Sequence, residues 1–71
     1  MEIHYDKEAD ALYITFRAGK FARNRKVDDT TILDLDAKGN ILGIELLSVS
    51  KRFPPAALAE VRVKNMTVAT A

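Results

Sequence analysis

The sequence predicts an α+β fold that is mainly β: an antiparallel β-meander of four to five strands with a short C-terminal helix, in a single domain spanning residues 1–71. Three observations lead there. Apolar and polar residues alternate with period two over several short stretches, as half-buried strands require. Short runs holding Gly, Asp and Asn separate those stretches, and these are turn residues. The alternation stops at Pro54-Pro55, after which helix formers follow.

The clearest element is the hairpin from Thr30 to Leu47. Leu33 and Leu35 alternate with Asp34 and Asp36 on its first arm, and Leu42, Ile44 and Leu46 share one face of the second. Ala37-Lys38-Gly39-Asn40 joins the arms; Gly39 takes positive φ at no steric cost and Asn40 tolerates it. Upstream, Glu2 to Asp6 reads as a strand with Ile3 and Tyr5 on one face, and Lys7–Asp10 as a turn. Ala11 to Phe16 is the next strand, with Leu12, Ile14 and Phe16 together and Tyr13 and Thr15 opposite. Arg17–Lys20 turns the chain. Phe21 to Val27 is the weakest strand pattern, since Phe21, Arg23, Arg25 and Val27 mix apolar and charged groups on one face. An edge strand, a bulge or a partly extended loop each fits it. Downstream, Pro55 suits a first helical position and Ala56 to Val61 suits a two-turn helix with Leu58 and Val61 on one face. A strand over Val61–Lys64 competes with the end of that helix, and Thr67–Ala71 is expected to be disordered.

A chain of 71 residues builds a thin core, and small domains often lean on disulfides, metals or a partner. There is no Cys, so no disulfide and no thiolate site, and His4 is the single His. Eleven Lys and Arg against ten Asp and Glu leave a net charge of +1, which drives the chain towards neither nucleic acid nor membrane. No apolar run approaches a membrane span and no signal-peptide pattern opens the chain, so a cytoplasmic protein without membrane contact is expected.

Leu12, Ile14, Phe16, Leu33, Leu35, Leu42, Ile44 and Leu46 all fall on one face of one sheet. Two helical side chains cannot roof eight, and the other face offers Tyr13, Ile41, Leu47 and Val49 as well. A homo-oligomer, most simply a dimer, is therefore expected to bury these eight as its interface.

The groups that carry chemistry have structural explanations beside the functional ones. Asp6, Glu8 and Asp10 lie close together near His4, which suits acid–base work or a hard cation; equally, Asp6 and Asp10 bracket a turn and bond its backbone. Asp34 and Asp36 lack the distal Glu of a calcium loop, and Asp36 suits the opening of the hairpin turn. Ser48 and Ser50 have no His in their motif, so nothing supports a hydrolase. No catalytic residue, metal or cofactor is expected, and the protein is read as no enzyme. Lys20, Arg23, Arg25 and Lys26 form a basic run that either guards an edge strand or meets phosphates or an acidic partner, with Lys51 and Arg52 able to extend it.

Two separated motifs carry a resemblance. Tyr5-Asp6-Lys7-Glu8-Ala9-Asp10-Ala11-Leu12-Tyr13-Ile14 follows the pattern YDxxADALYI. The hairpin, with Gly39-Asn40-Ile41-Leu42-Gly43-Ile44-Glu45-Leu46 on its second arm, follows ILDxDxxGNxxGIExL. Together with Ser50-Lys51-Arg52 they resemble a family of small prokaryotic proteins catalogued as a domain of unknown function, over about residues 2–52, with 53–71 outside it. The resemblance implies no activity, cofactor or catalytic residue. The chain is read as a protein–protein interaction module, and the resemblance implies, from some members, the antitoxin-like partner of a small RNase-like toxin. The alternative is a weak nucleic-acid binder using the basic strand.

Overall fold

Backbone hydrogen bonding closes five strands into one antiparallel sheet, and the computed structural model describes it within residues 1–64. The strands are β1 (Glu2–Asp6), β2 (Ala11–Thr15), β3 (Arg23–Asp28), β4 (Thr31–Leu35) and β5 (Ile41–Leu46). Two single-turn helices follow, α1 (Val49–Arg52) and α2 (Pro55–Leu58). The mainly-β class with a short helical C-terminal part is thus the observed one.

The order across the sheet is β1-β2-β5-β4-β3. It consists of a β1–β2 hairpin and a β3–β4–β5 meander, joined where β5 pairs with β2. The last strand in sequence therefore sits at the centre, and the basic β3 forms one edge, as its mixed pattern suggested. The register of β3 on β4 shifts between Lys26 and Asp28, which ends the edge in an irregularity.

Each turn has a local cause. Asp6 opens the first by accepting from the Glu8 and Ala9 amides at 3.1 Å. Asp36 opens the hairpin by accepting from the amides of Lys38 and Asn40 and from Asn40 Nδ2, all at 2.9 Å. Gly39 takes φ 85° there. Asn40 stays out of the left-handed region and holds Asp36 instead.

The C-terminal part departs from expectation in two ways. Val49 was assigned to the second face of the sheet. It is instead fully buried at the start of α1, because Ser48, at φ 53°, bends the chain off the strand path. The expected helix over Ala56–Val61 is only Pro55–Leu58, with Pro55 in its first turn. Val61 lies beyond it and stays 64% exposed, since a lone turn has no packing to extend it. Val61–Lys64 forms no strand, and Thr67–Ala71 lies outside the described residues.

The core is thin. Among the described residues only Ala11, Leu35, Leu42 and Val49 are buried apolar side chains. The radius of gyration is 13.7 Å, where a compact chain of this length has roughly 11 Å. Contact between elements is mostly strand to strand, so the sheet stands largely as a single layer.

Candidate interaction surfaces

Residues paired across an antiparallel ladder point to the same side, so the register assigns each face. One unbroken row crosses all five strands as Ile3, Ile14, Ile44, Leu33 and Arg25. A second row on that side runs Tyr5, Leu12, Leu46 and Thr31. This is the apolar face expected from the alternation.

Its eight candidate residues divide into two groups. Leu35 and Leu42 are already covered by their own chain: Ala22 donates its amide to the Leu35 carbonyl at 2.8 Å, and Gly19 lies against the Leu42 side chain. They are not available to a partner. Leu12, Ile14, Leu33, Ile44 and Leu46 remain half-buried and Phe16 is exposed. The helices cover only one end of this face. There Tyr5, Ser50, Phe53, Pro55, Leu58 and Ala59 line an apolar cleft of about 300 Å³.

The basic run does not survive as one patch, because alternation sends its members apart. Arg25 pairs with Leu33 and borders the apolar face. Lys26 pairs with Ile32 on the other side and makes an exposed ion pair with Asp29 at 3.4 Å. Lys20 and Arg23 gather at the hairpin end. A cleft of about 390 Å³ there is lined by Arg17, Lys20, Phe21, Asp36, Lys38 and Asn40, and the Arg23 guanidinium reaches the backbone beside Gly39. Among the described residues none of Arg17, Lys20, Arg23 and Lys38 is ion-paired. The Asn40 side chain, followed by its amide, holds Asp36 ionised below the ordinary carboxylate range, with Arg17 adding to the effect. Lys51 and Arg52 lie in α1, where Arg52 donates to the Thr30 carbonyl at 2.9 Å and packs over the Phe53 ring, so neither extends this cluster.

On the opposite face a parallel row runs His4, Tyr13, Glu45, Ile32 and Lys26. Asp34 lies beside it and accepts from Asn24 Nδ2 at 2.6 Å. A hydrogen bond shared with the Asp34 carboxylate, aided by desolvation, pushes Glu45 up to about 7.

Asp10, expected to bracket a turn, does more. At φ 52°, it accepts from the Ser50 amide at 3.0 Å, from Ser50 Oγ at 2.7 Å and from the Tyr5 hydroxyl at 3.1 Å. Its carbonyl takes the Val49 amide at 3.0 Å. The Ser50 hydroxyl is the main reason its carboxyl sits below the ordinary range. This node ties α1 to the β1–β2 turn. Nothing local in the sequence announces it, although Ser50-Lys51-Arg52 was singled out as part of a motif. Gly43 was a legible signal left unread: a Cβ there would meet the Ile14 carbonyl oxygen at 2.6 Å, so glycine is what allows β2 and β5 to pair.

No described residues form a cluster of three or more His, Cys, Asp or Glu suited to a metal. Among the described residues no helix is long and apolar enough to cross a membrane.

The comparisons agree with the resemblance to a domain of unknown function. An uncharacterised protein of Methanocaldococcus jannaschii, MJ0789, is 36% identical over 53 residues, which is 75% of this chain and 45% of that relative. The chain thus spans about half the length of the curated relative it matches. No solved structure matches it. Residues 2–50, which carry all five strands and the Asp10–Ser50 node, match DUF2283, and the chain belongs to that family of proteins of unknown function.

Proposed function

We propose that this domain is a protein–protein interaction module whose apolar sheet face seats a second copy of the chain. The observation that carries this reading is the half-buried row Ile14, Ile44 and Leu33 at the centre of a single-layer sheet. Burying such side chains is worth roughly 1.5–3 kcal/mol each. The surface area agrees. The chain exposes 5849 Å², where a compact protein of its 7.9 kDa mass exposes roughly 4,400 Å². That excess is large enough to supply the roughly 800 Å² that each partner gives to a stable interface. Light scattering at low micromolar concentration tests the reading: a dimer is expected, and a well-folded monomer of 7.9 kDa would remove it. In a dimer of this kind the polar face and the sheet edges stay free for a second protein. That is where a small RNase-like toxin would dock if this chain is its antitoxin-like partner.

The cleft at the hairpin end favours a second reading, binding of single-stranded nucleic acid. Three cations without ion-pair partners among the described residues, Arg17, Lys20 and Lys38, line this cleft with Phe21, which is 54% exposed and offers a ring for a base to stack on. Fluorescence anisotropy with a short labelled RNA or DNA tests it. Binding at low ionic strength should weaken steeply as salt rises, because phosphate contacts release counterions. Arg17→Glu with Lys38→Glu should abolish it, whereas Arg25→Glu, away from the cleft, should leave most of it. No binding by the wild type at low salt ends this reading.

A further inference from the structure

We propose, resting on the reading that the hairpin-end cleft binds single-stranded nucleic acid, that a second cleft beside it receives one base of the strand and selects guanine. This cleft, of about 300 Å³, is lined by Thr15, Arg17, Gly19, Phe21, Asp34 and Gly43. Its volume is at the small end of ligand pockets and suits a single base. Arg17 and Phe21 line both clefts, so they stand on the boundary between them. They belong to the loop that leaves β2 and reaches β3, with β5 and β4 lying between those strands in the sheet. Gly43 leaves a floor without a side chain between its row partners Thr15 and Asp34.

The two clefts differ in charge. The first gathers Arg17, Lys20 and Lys38, and the oxygens of its one acid, Asp36, are taken up by Lys38 and Asn40. The second holds Arg17 together with Asp34. Asp34 is half-buried, and its Oδ1 accepts from Asn24 Nδ2 at 2.6 Å, which fixes the carboxylate in place. It also shares a hydrogen bond with Glu45. A carboxylate has about four acceptor positions, so about two stay open. An acid at this point repels a phosphate, and the neighbouring cations repel an amine. A neutral group with paired N–H donors beside acceptors suits both. Guanine is the base of that kind: N1–H and the N2 amine donate to a carboxylate, while O6 and N7 accept from a guanidinium. Adenine and cytosine bring an amine but no ring N–H on that edge, and uracil brings a ring N–H but no amine. Phe21 supplies the stacking face, and the phosphates stay on the basic side of it.

Fluorescence anisotropy at low salt tests the assignment, using labelled short oligouridines that carry one central guanosine, adenosine or cytidine, or none. The guanosine strand should bind the wild type roughly tenfold tighter than the others, within the range that one bidentate pair discriminates. Replacing that guanosine with inosine, which lacks the N2 amine, should remove most of the preference. Asp34→Asn should remove it too, while binding of the plain oligouridine does not fall. The inosine measurement uses the unaltered protein, so it decides the matter even if Asp34→Asn fails to fold. Equal binding of all the strands, or an undiminished preference with inosine, overturns guanine selection and leaves the basic cleft as a nucleic-acid site. GMP that competes as well as the guanosine strand would assign the second cleft to a free nucleotide and would also overturn the proposal. No binding of any strand removes the underlying reading of the basic cleft, and guanine selection with it.

Discussion

The two faces of this sheet are built on the same backbone ladder and differ by one residue of register. Ile3, Ile14, Ile44, Leu33 and Arg25 cross it on one side, and His4, Tyr13, Glu45, Ile32 and Lys26 on the other. The first row is apolar until its last member. The second alternates aromatic, acidic, aliphatic and basic groups, and Asp34 beside its acid, aided by desolvation, raises Glu45 to about 7. The difference is one of chemistry and not of exposure, since the three central members of each row are half-buried and both ends are exposed.

The contrast is broken most directly by moving a charge onto the apolar side. Ile44→Asp should cost roughly 3 kcal/mol or more, the upper range for single substitutions, with loss of self-association. Ile32→Thr, one strand away on the other face, should cost only roughly 1 kcal/mol and leave the dimer intact. Urea unfolding at fixed protein concentration, read with light scattering, measures both. Equal effects would mean that the faces do not differ in their tolerance of polar groups.

Gly43 shows that the polar face is not permissive everywhere. Its row partners are Thr15 and Asp34, and a Cβ there runs into the β2 backbone. Gly43→Ala is expected to destabilise by roughly 1–3 kcal/mol, as overpacking does, with the loss seen in the urea midpoint.

The smallest effect is a pH dependence confined to the polar side. Folded Glu45 keeps its proton up to about 7, against an ordinary value of 4.5. The unfolded chain releases that proton first, so the contribution is whole below about 4.5 and is lost as pH rises through about 7. Asp10, Asp28 and Asp36 act in the opposite sense. Hydrogen bonds hold them below their ordinary 3.8, so their contributions are present above that value and are lost as pH falls. Thermal melts from pH 4.5 to 7.5 should show falling stability in the wild type and a flatter profile in Glu45→Gln. An unchanged slope in the variant would assign the fall to another group.

The parts of this fold that were legible in the sequence are those set by neighbouring residues. Leu33 and Leu35 against Asp34, with Gly39 at the turn, gave β4, β5 and their hairpin. Asp6 gave the first turn. What stayed hidden depends on contacts distant in the chain or on one backbone angle. Leu47 and Val49 continue the strand pattern, and only the left-handed Ser48 sends Val49 into the core. The Asp10–Ser50 bond spans 40 residues. The basic run read as a patch because its members adjoin in sequence; alternation then separated Arg25 from Lys26 and drew Lys20 and Arg23 towards Arg17 and Lys38. The pairing of β2 with β5 was hidden for the same reason, although Gly43 marked the place where two backbones approach.

That pairing fixes an order of events. The central strand of the sheet is the last to leave the ribosome, so the β1–β2 hairpin has no neighbour to dock on until β5 exists. The meander β3–β4–β5 closes through short loops and can assemble first. The β2–β5 ladder must bridge Thr15 to Gly43 and waits on that larger loop closure. Weakening β4–β5 contacts should therefore slow folding, while weakening β2–β5 contacts should mainly speed unfolding. During synthesis and early folding the apolar side of β2 stands bare, and it is the stretch most open to capture by a chaperone or by another unfinished chain.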